Sequence, residues 1–462
     1  MKDRGSSFLQ IAKSVPDYRA LLTVEELSAS TRTLEAQRDP LVRIQPIGHS
    51  RLGEPIELIS VGHGARHALL VGTPHPNEPI GCLTIEFLIE HLRKDAALRD
   101  ELGYTWHFIK TIEPDGLRLN EGWLKRPNDP SAYLTHFFRP AAREQAEYNF
   151  PLASSNYRFE SSTPENLAWQ EAIRICRPDF LFSLHNNEHG GVFYILSHAD
   201  SGLAAELARQ PADFGLPLDT VGESFDESAT IAPGVFHAFD IAGMLIASSG
   251  NAKSGEAGWQ AGQSSFGFCA AAGTFGLMVE VPYWKEATRP SGSEQHSLKD
   301  VFGPAFAWSQ EVVQMLDRFL PTLGSVGGTA APRFFVALQD MREAAERRMR
   351  LFAAPPEVFL PEHLASAQRR VARFHLLRPV AMLSRLAALA LDGNSADAHA
   401  RKAYDESTNY LARAMAETDF AEGLEPVPLR DTVGLQVLAA LTTAAALGQG
   451  THRSTQSFSS SS

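Results

Sequence analysis

The sequence predicts an α/β fold, a mostly parallel or mixed sheet with helices on both faces, followed by an all-α carboxy-terminal domain. Three observations carry that prediction. Apolar runs of strand length alternate with amphipathic stretches from Leu41 onward, the pattern of β-α units packed around one sheet. The alternation stops near Leu320. Beyond it the chain is rich in Ala, Leu and Arg at helical spacing, which strands do not use.

Each element has a local reason. Residues 1–40 read as short polar helices with Leu21, Leu22, Leu27 and Leu34 as contacts. Val42–Ile47 and Pro55–Val61 flank Gly48-His-Ser-Arg-Leu-Gly53 and predict a hairpin. His67–Val71 is a strand, and Ile80, Leu83, Phe87, Leu88 and Leu92 form the buried stripe of the helix after it. Trp106–Ile112 is a strand. Thr163-Pro164-Glu165 opens a helix with a cap, a first-turn proline and an acid. Phe180–Leu184, Val192–Leu196, Met244–Ala247 and Phe275–Val281 are further strands. Gly324–Pro332 reads as a linker, and Pro355-Pro356 breaks the helical run that follows. The predicted organisation is 1–322, 333–447 and a disordered tail over 451–462, whose serines cannot build a core.

Composition narrows the function classes. The 462 residues carry 44% hydrophobic and 21% charged side chains, enough to bury a large core without staples. A net charge of −12 argues against a nucleic-acid partner, which needs a basic face. Cys82, Cys176 and Cys269 are far apart with no C-x-x-C, so they are expected to be reduced thiols. Met1–Gln10 lacks the apolar core of a signal peptide, and no apolar run reaches the ~18 residues of a membrane span. The expectation is a cytoplasmic protein with no membrane contact.

The chemistry starts at His75-Pro-Asn-Glu78, after an apolar strand broken by Gly72 and Pro74. An imidazole and a carboxylate are placed beside a strand's carboxyl end, where open α/β sheets bind ligands. A hydrolytic zinc site needs three N or O ligands, an open position and a nearby carboxylate base. His185 directly follows the run Phe180–Leu184 and is the third ligand candidate. Glu280 interrupts the apolar run Phe275–Val281, a costly place for a carboxylate unless it faces a polar cavity or a partner. It is the candidate base, with a structural ion pair as the alternative.

These pieces, with Ile47–Ile56, Glu113-Pro-Asp-Gly116, Arg118-Leu-Asn120, Asn149-Phe-Pro151, Thr163-Pro-Glu165, Ser183-Leu-His185 and Val279-Glu280, make residues 17–320 similar to the carboxypeptidase A-like zinc metallocarboxypeptidases. The resemblance implies one Zn²⁺ per chain on His75, Glu78 and His185. It implies that Glu280 activates the water that attacks an amide, and that Arg118 steadies the oxyanion and contacts substrate. Two departures stand out. Tyr148 occupies the place of the family's carboxylate-gripping arginine, and no tyrosine lies between Tyr194 and Tyr283, where the family has a mobile one. Arg139, beside Phe137-Phe138, is the best of three loop arginines (with Arg126 and Arg143) to rebuild an anion site. Tyr148 and Arg139 are therefore assigned to substrate binding.

The expected function is a zinc-dependent hydrolase of a peptide or small amide, with an altered carboxylate pocket. The alternatives are an amidase or deacylase of a modified or N-acylated amino acid, and a non-catalytic binding protein on the same fold. Gly48-His-Ser-Arg-Leu-Gly53 fails the G-x-S-x-G spacing of a serine nucleophile. His189 and His198 read as loop histidines, and Glu188 as pocket mouth or surface charge. Arg347, Arg348 and Arg350 read as a solvated helix face, or as a contact with the acidic domain or a twin subunit through the carboxy-terminal helices.

Overall fold

A computed structural model of the chain describes residues 2–154, 157–222, 229–239, 261–287, 294–353, 357–416 and 423–448. The expected strand Met244–Ala247 and the tail 451–462 lie outside the described residues.

The strands run in chain order as β1 (Val42–His49), β2 (Pro55–Val61), β3 (Arg66–Val71), β4 (Tyr104–Ile109), β5 (Leu152–Ala153), β6 (Arg158–Phe159) and β7 (Phe180–His189). They continue as β8 (Phe193–Leu196), β9 (Thr230–Ala232), β10 (Val235–His237), β11 (Phe275–Glu286), β12 (Gln295–Ser297), β13 (Phe359–Pro361) and β14 (Leu424–Pro426). One mixed sheet has the order β1-β2-β4-β3-β7-β11-β8-β10-β9, with β14 pairing to β11. Its centre is parallel: β4 with β3, β3 with β7 and β7 with β11. The predicted hairpin is β1–β2, antiparallel.

Alternation along β3 explains the layers. Ala68 and Leu70 join a cluster with the helices Ile80–Lys94 and Leu429–Gly448. Leu69 and Val71 face the opposite cluster, with Ala168, Trp169 and Ala172 of the helix Pro164–Cys176. A strand buried on both faces reads as a continuous apolar run, which is why β3, β7 and β11 stand out in the sequence. Both β7 and β11 run past their expected ends, to His189 and Glu286. His185 therefore sits inside its strand rather than after it.

The carboxy-terminal region is helical; many of its apolar residues share one hydrophobic cluster with the sheet, while Leu360, Ala365, Ala372 and Leu376 belong to a smaller cluster with Leu298 and Val301. β14 adds to the sheet beside Trp284–Glu286. The buried Gln436 donates from Nε2 to the His185 carbonyl (2.9 Å), while its Oε1 accepts from Thr84 Oγ1 (2.6 Å). Glu362–Gly393 and Leu429–Gly448 are long and apolar enough to cross a membrane, contrary to the reading of the bare sequence. In each, 72% of the apolar window is buried against the rest of the protein, as core helices are.

A buried chain at the other end of the strands has a consequence for pH. Ser60 Oγ and His107 Nδ1 are 2.9 Å apart, and His107 Nε2 and His67 Nδ1 are also 2.9 Å apart. Burial, then His67 and Arg43, pushes the His107 imidazolium down to about 3 from 6.5. The unfolded chain takes up that proton below 6.5 while the folded one does not, so this group removes stability as pH falls from about 6.5 towards 3. Glu113 acts oppositely. Burial, with Glu165 adding to it, raises its carboxyl to about 8 from 4.5. Its contribution is complete below 4.5 and is lost as pH rises through about 8. Glu113→Gln is expected to flatten the alkaline side of a melting-temperature profile; a wild-type-like fall from about pH 5 to about pH 9 would refute that assignment.

Candidate metal centre

The loop between β3 and the helix Ile80–Lys94 carries two of the three proposed ligands. Thr73 adopts φ 48°, a strained turn for a β-branched residue, and the chain then turns through His75, whose carbonyl accepts from Glu78 N (3.0 Å). Neighbours hold the loop. Tyr283 Oη donates to the Asn77 carbonyl (3.0 Å), and Asn77 Nδ2 donates to Tyr133 Oη (3.3 Å). A Cβ on Gly81 would lie 2.5 Å from Leu184 Cβ, so only glycine lets this helix start so close to β7. A Cβ on Gly116 would likewise meet Pro76 at 2.6 Å.

The other motifs brace one another. Asp115 accepts from Ser50 Oγ (2.6 Å) and Leu52 N (2.9 Å), so Ser50 is a structural hydroxyl. Glu165 accepts from Arg51 N (2.7 Å), and Asn149 Oδ1 accepts from Thr163 N (3.1 Å).

His75, Glu78 and His185 converge, all buried, with one ligand atom from each within 4.8 Å of the others. His185 Nδ1 lies 2.9 Å from Glu78 Oε2, and the two imidazole centroids are 4.8 Å apart. The residues fit a metal on a specific observation: His75 Nδ1 is buried with no hydrogen-bond partner. Burial, then Arg139, His185 and Arg378, holds the His75 pKa well below 6.5, so the ring is neutral and its nitrogen free to ligate. Burial alone would raise Glu78, but Arg139 and His185 outweigh it and keep the carboxylate ionised. Two imidazoles and one carboxylate are a zinc-type donor set.

Glu280 pairs in register with His185 across β11 and β7, and its Oε1 is 3.6 Å from His185 Nδ1. Tyr148 stacks beside the site, its ring centroid 5.5 Å from that of His75. Arg139 is drawn in between buried Phe137 and Phe138 and the site, donating from Nη1 to Glu78 Oε1 (2.7 Å). Arg118 lies on the helix Pro114–Leu124 with 40% of its side chain exposed, its Nε 2.5 Å from Glu54 and its Nη1 4.0 Å from Glu121. Acids on its own helix and on the β1–β2 hairpin pair with it. Of the cations, Arg139 takes the place nearest the ligands.

Sequence reasoning missed Glu147, Arg378 and His375, and left Glu188 and His189 without these partners. Glu147 is fully buried, accepts from Ser183 Oγ (2.8 Å), Ser265 Oγ (2.6 Å) and Ser265 N (3.1 Å), and lies 4.0 Å from His185 Nε2. Its place directly before Tyr148 was the available signal. Glu188 is buried and bonded by Tyr133 Oη and Arg378 Nη2. Arg378 and His375 come from the helix Glu362–Gly393, where a charge inside an apolar run was the signal. His189 is a buried strand residue, 3.2 Å from Glu286, not a loop histidine.

Residues 27–189, which contain all three proposed ligands, match the family model described as zinc carboxypeptidase. No curated protein matches the chain. Among solved structures, a metallo-carboxypeptidase from Burkholderia cenocepacia is 16% identical, with TM-score 0.34 over 55% of this chain and 60% of that one. Carboxypeptidase A from Helicoverpa armigera is 13% identical, with TM-score 0.37 over 63% and 73%. A metallo-carboxypeptidase from Pseudomonas aeruginosa is 17% identical, with TM-score 0.31 over 55% and 59%. The chain thus spans about three fifths of the length of the two bacterial enzymes. Residues 27–189 of this chain are thus similar to the zinc carboxypeptidase family.

Proposed function

We propose that the protein is a zinc-dependent hydrolase of an amide bond, with a carboxylate-recognition pocket unlike that of the family it resembles. The single observation that carries this reading is the buried convergence of His75, Glu78 and His185, with Glu280 in register beside His185. Zinc held there supplies a Lewis acid that acidifies water to a pKa of about 7. The chain's own residues do the rest. Glu280, on a rigid central strand, takes a proton at its carboxylate and returns it to the leaving amine. Arg139, always charged, sets positive charge beside the ligands where negative charge develops on the substrate carbonyl. Tyr148 closes the wall next to His75. Neither burial nor hydrogen bonding at these positions calls for a covalent intermediate.

Substitution of Tyr148 for an arginine changes what the pocket selects. A phenol cannot form the bidentate pair that a guanidinium makes with a carboxylate. The substrate is accordingly a small or modified amide rather than a peptide gripped by its terminal carboxylate. The test is hydrolysis by zinc-loaded protein of N-acyl amino acids and of short peptides, each with and without a chelator. Chelator-sensitive release of amine supports the reading. Stoichiometric zinc with no turnover of any amide would leave a binding protein on a hydrolase fold.

A further inference from the structure

We propose that Gln436, on the helix Leu429–Gly448, is a positioning residue of the candidate metal centre. It ties the strand that carries His185 to the helix that follows Glu78, and so sets the spacing of the ligands. This rests on the reading of His75, Glu78 and His185 as metal ligands, and it gives the carboxy-terminal region a role at the site.

The link is a pair of hydrogen bonds through one amide. Gln436 Nε2 donates to the His185 carbonyl at 2.9 Å, and Gln436 Oε1 accepts from Thr84 Oγ1 at 2.6 Å. A carbonyl can only accept, so the amide nitrogen must face His185 and the amide oxygen the threonine hydroxyl. All three residues are buried. Thr84 lies near the start of the helix Ile80–Lys94, which the ligand loop feeds. That helix touches β7 where Gly81 meets Leu184. Gln436 supplies the contact between the next strand residue, His185, and Thr84.

The helix that supplies the amide is itself fixed. Residues 432–444 are all buried, and Gln436 is the one amide side chain among them. Burying an amide is costly unless its donor and acceptor are both satisfied, as they are here. Val427 N donates to the Tyr283 carbonyl (2.8 Å), pinning the chain to β11 just before the helix starts. Tyr283 Oη in turn donates to the Asn77 carbonyl of the ligand loop. Gly434 packs so closely that a Cβ there would lie 2.7 Å from both the Ala12 carbonyl and Phe214. The amide therefore reaches His185 from a helix with little room to shift. Groups that orient a ligating imidazole usually bond its ring. Ser183 and Glu147 take that side of His185, while Gln436 holds the backbone of the same residue.

The test uses the full chain and two readouts: zinc affinity in competition with a chelating dye, and the melting temperature of the metal-free protein. Gln436→Met keeps the length of the side chain but neither hydrogen bond, and is expected to weaken zinc binding about 10–100-fold. Its metal-free melting temperature should fall as well, since the His185 carbonyl and the Thr84 hydroxyl lose their partner. Val437→Ala is the control for that fall. It opens a cavity in the same helix and should melt early with wild-type zinc affinity. Thr84→Val frees one end of the amide and is expected to weaken zinc binding less than Gln436→Met, with Thr84→Ser restoring the wild-type value. Should Gln436→Met fail to fold, Thr84→Val against Thr84→Ser decides the matter by the same measure. Unchanged zinc affinity in Gln436→Met and Thr84→Val would overturn the proposal. So would equal losses in Gln436→Met and Val437→Ala, which would reduce Gln436 to packing. Zinc bound by wild type and equally by these variants contradicts this proposal alone. A wild type that takes no zinc contradicts the metal reading, and this proposal with it.

Discussion

Glu280→Gln is expected to keep its zinc and lose ~10²–10⁴-fold in turnover of any amide substrate. Glutamine preserves the shape of the side chain and its place on β11, 6% exposed and in register with His185. What it removes is the ability to hold a proton between attack and departure of the amine. The metal ligands are elsewhere, so metal content should not follow activity. Turnover within a factor of a few of wild type, measured on a substrate that shows chelator-sensitive hydrolysis, would remove Glu280 as the base. Loss of zinc together with activity would instead make it a structural partner of His185.

A second large effect is expected at Glu147. Its carboxylate lies 4.0 Å from His185 Nε2, the ring nitrogen opposite the one that faces Glu78, and Ser183 Oγ stands 3.0 Å from the same nitrogen. Such partners fix the tautomer and orientation of a ligating imidazole, and their loss typically costs 10–100-fold in metal affinity. Burial raises the Glu147 carboxyl, opposed by His185, Ser265 and Ser183, so a neutral replacement relieves a desolvation cost. Glu147→Gln is expected to weaken zinc binding about 10–100-fold in competition with a chelating dye, while melting no earlier than wild type in the metal-free state. Unchanged zinc affinity would show that Ser183 alone orients His185.

Much of this site was legible because its backbone is regular. Gly72 and Pro74 end β3 where a ligand loop must start, and the apolar runs of β7 and β11 mark the buried parallel centre that carries His185 and Glu280. The hairpin, Glu113–Gly116 and Thr163–Glu165 motifs read as one ordered set, and they turn out to hold one another through Asp115 and Glu165. Spacing along a chain does not say which acid pairs with a cation; for Arg118 these are Glu54 and Glu121. The carboxy-terminal helices looked separate because their Ala- and Leu-rich faces carry no label for what they cover. In the fold they cover the sheet, and Gln436 reaches the backbone of a proposed ligand. Arg378 reaches Glu188 only in three dimensions, from a segment far along the chain.

The most direct measurement is the metal content of purified full-length protein by mass spectrometry, wild type beside His185→Ala. The account predicts about one zinc per wild-type chain, the stoichiometry of a three-ligand site with an open position, and its loss in the variant. Zinc absent from the wild type after reconstitution, or retained equally by His185→Ala, would contradict it.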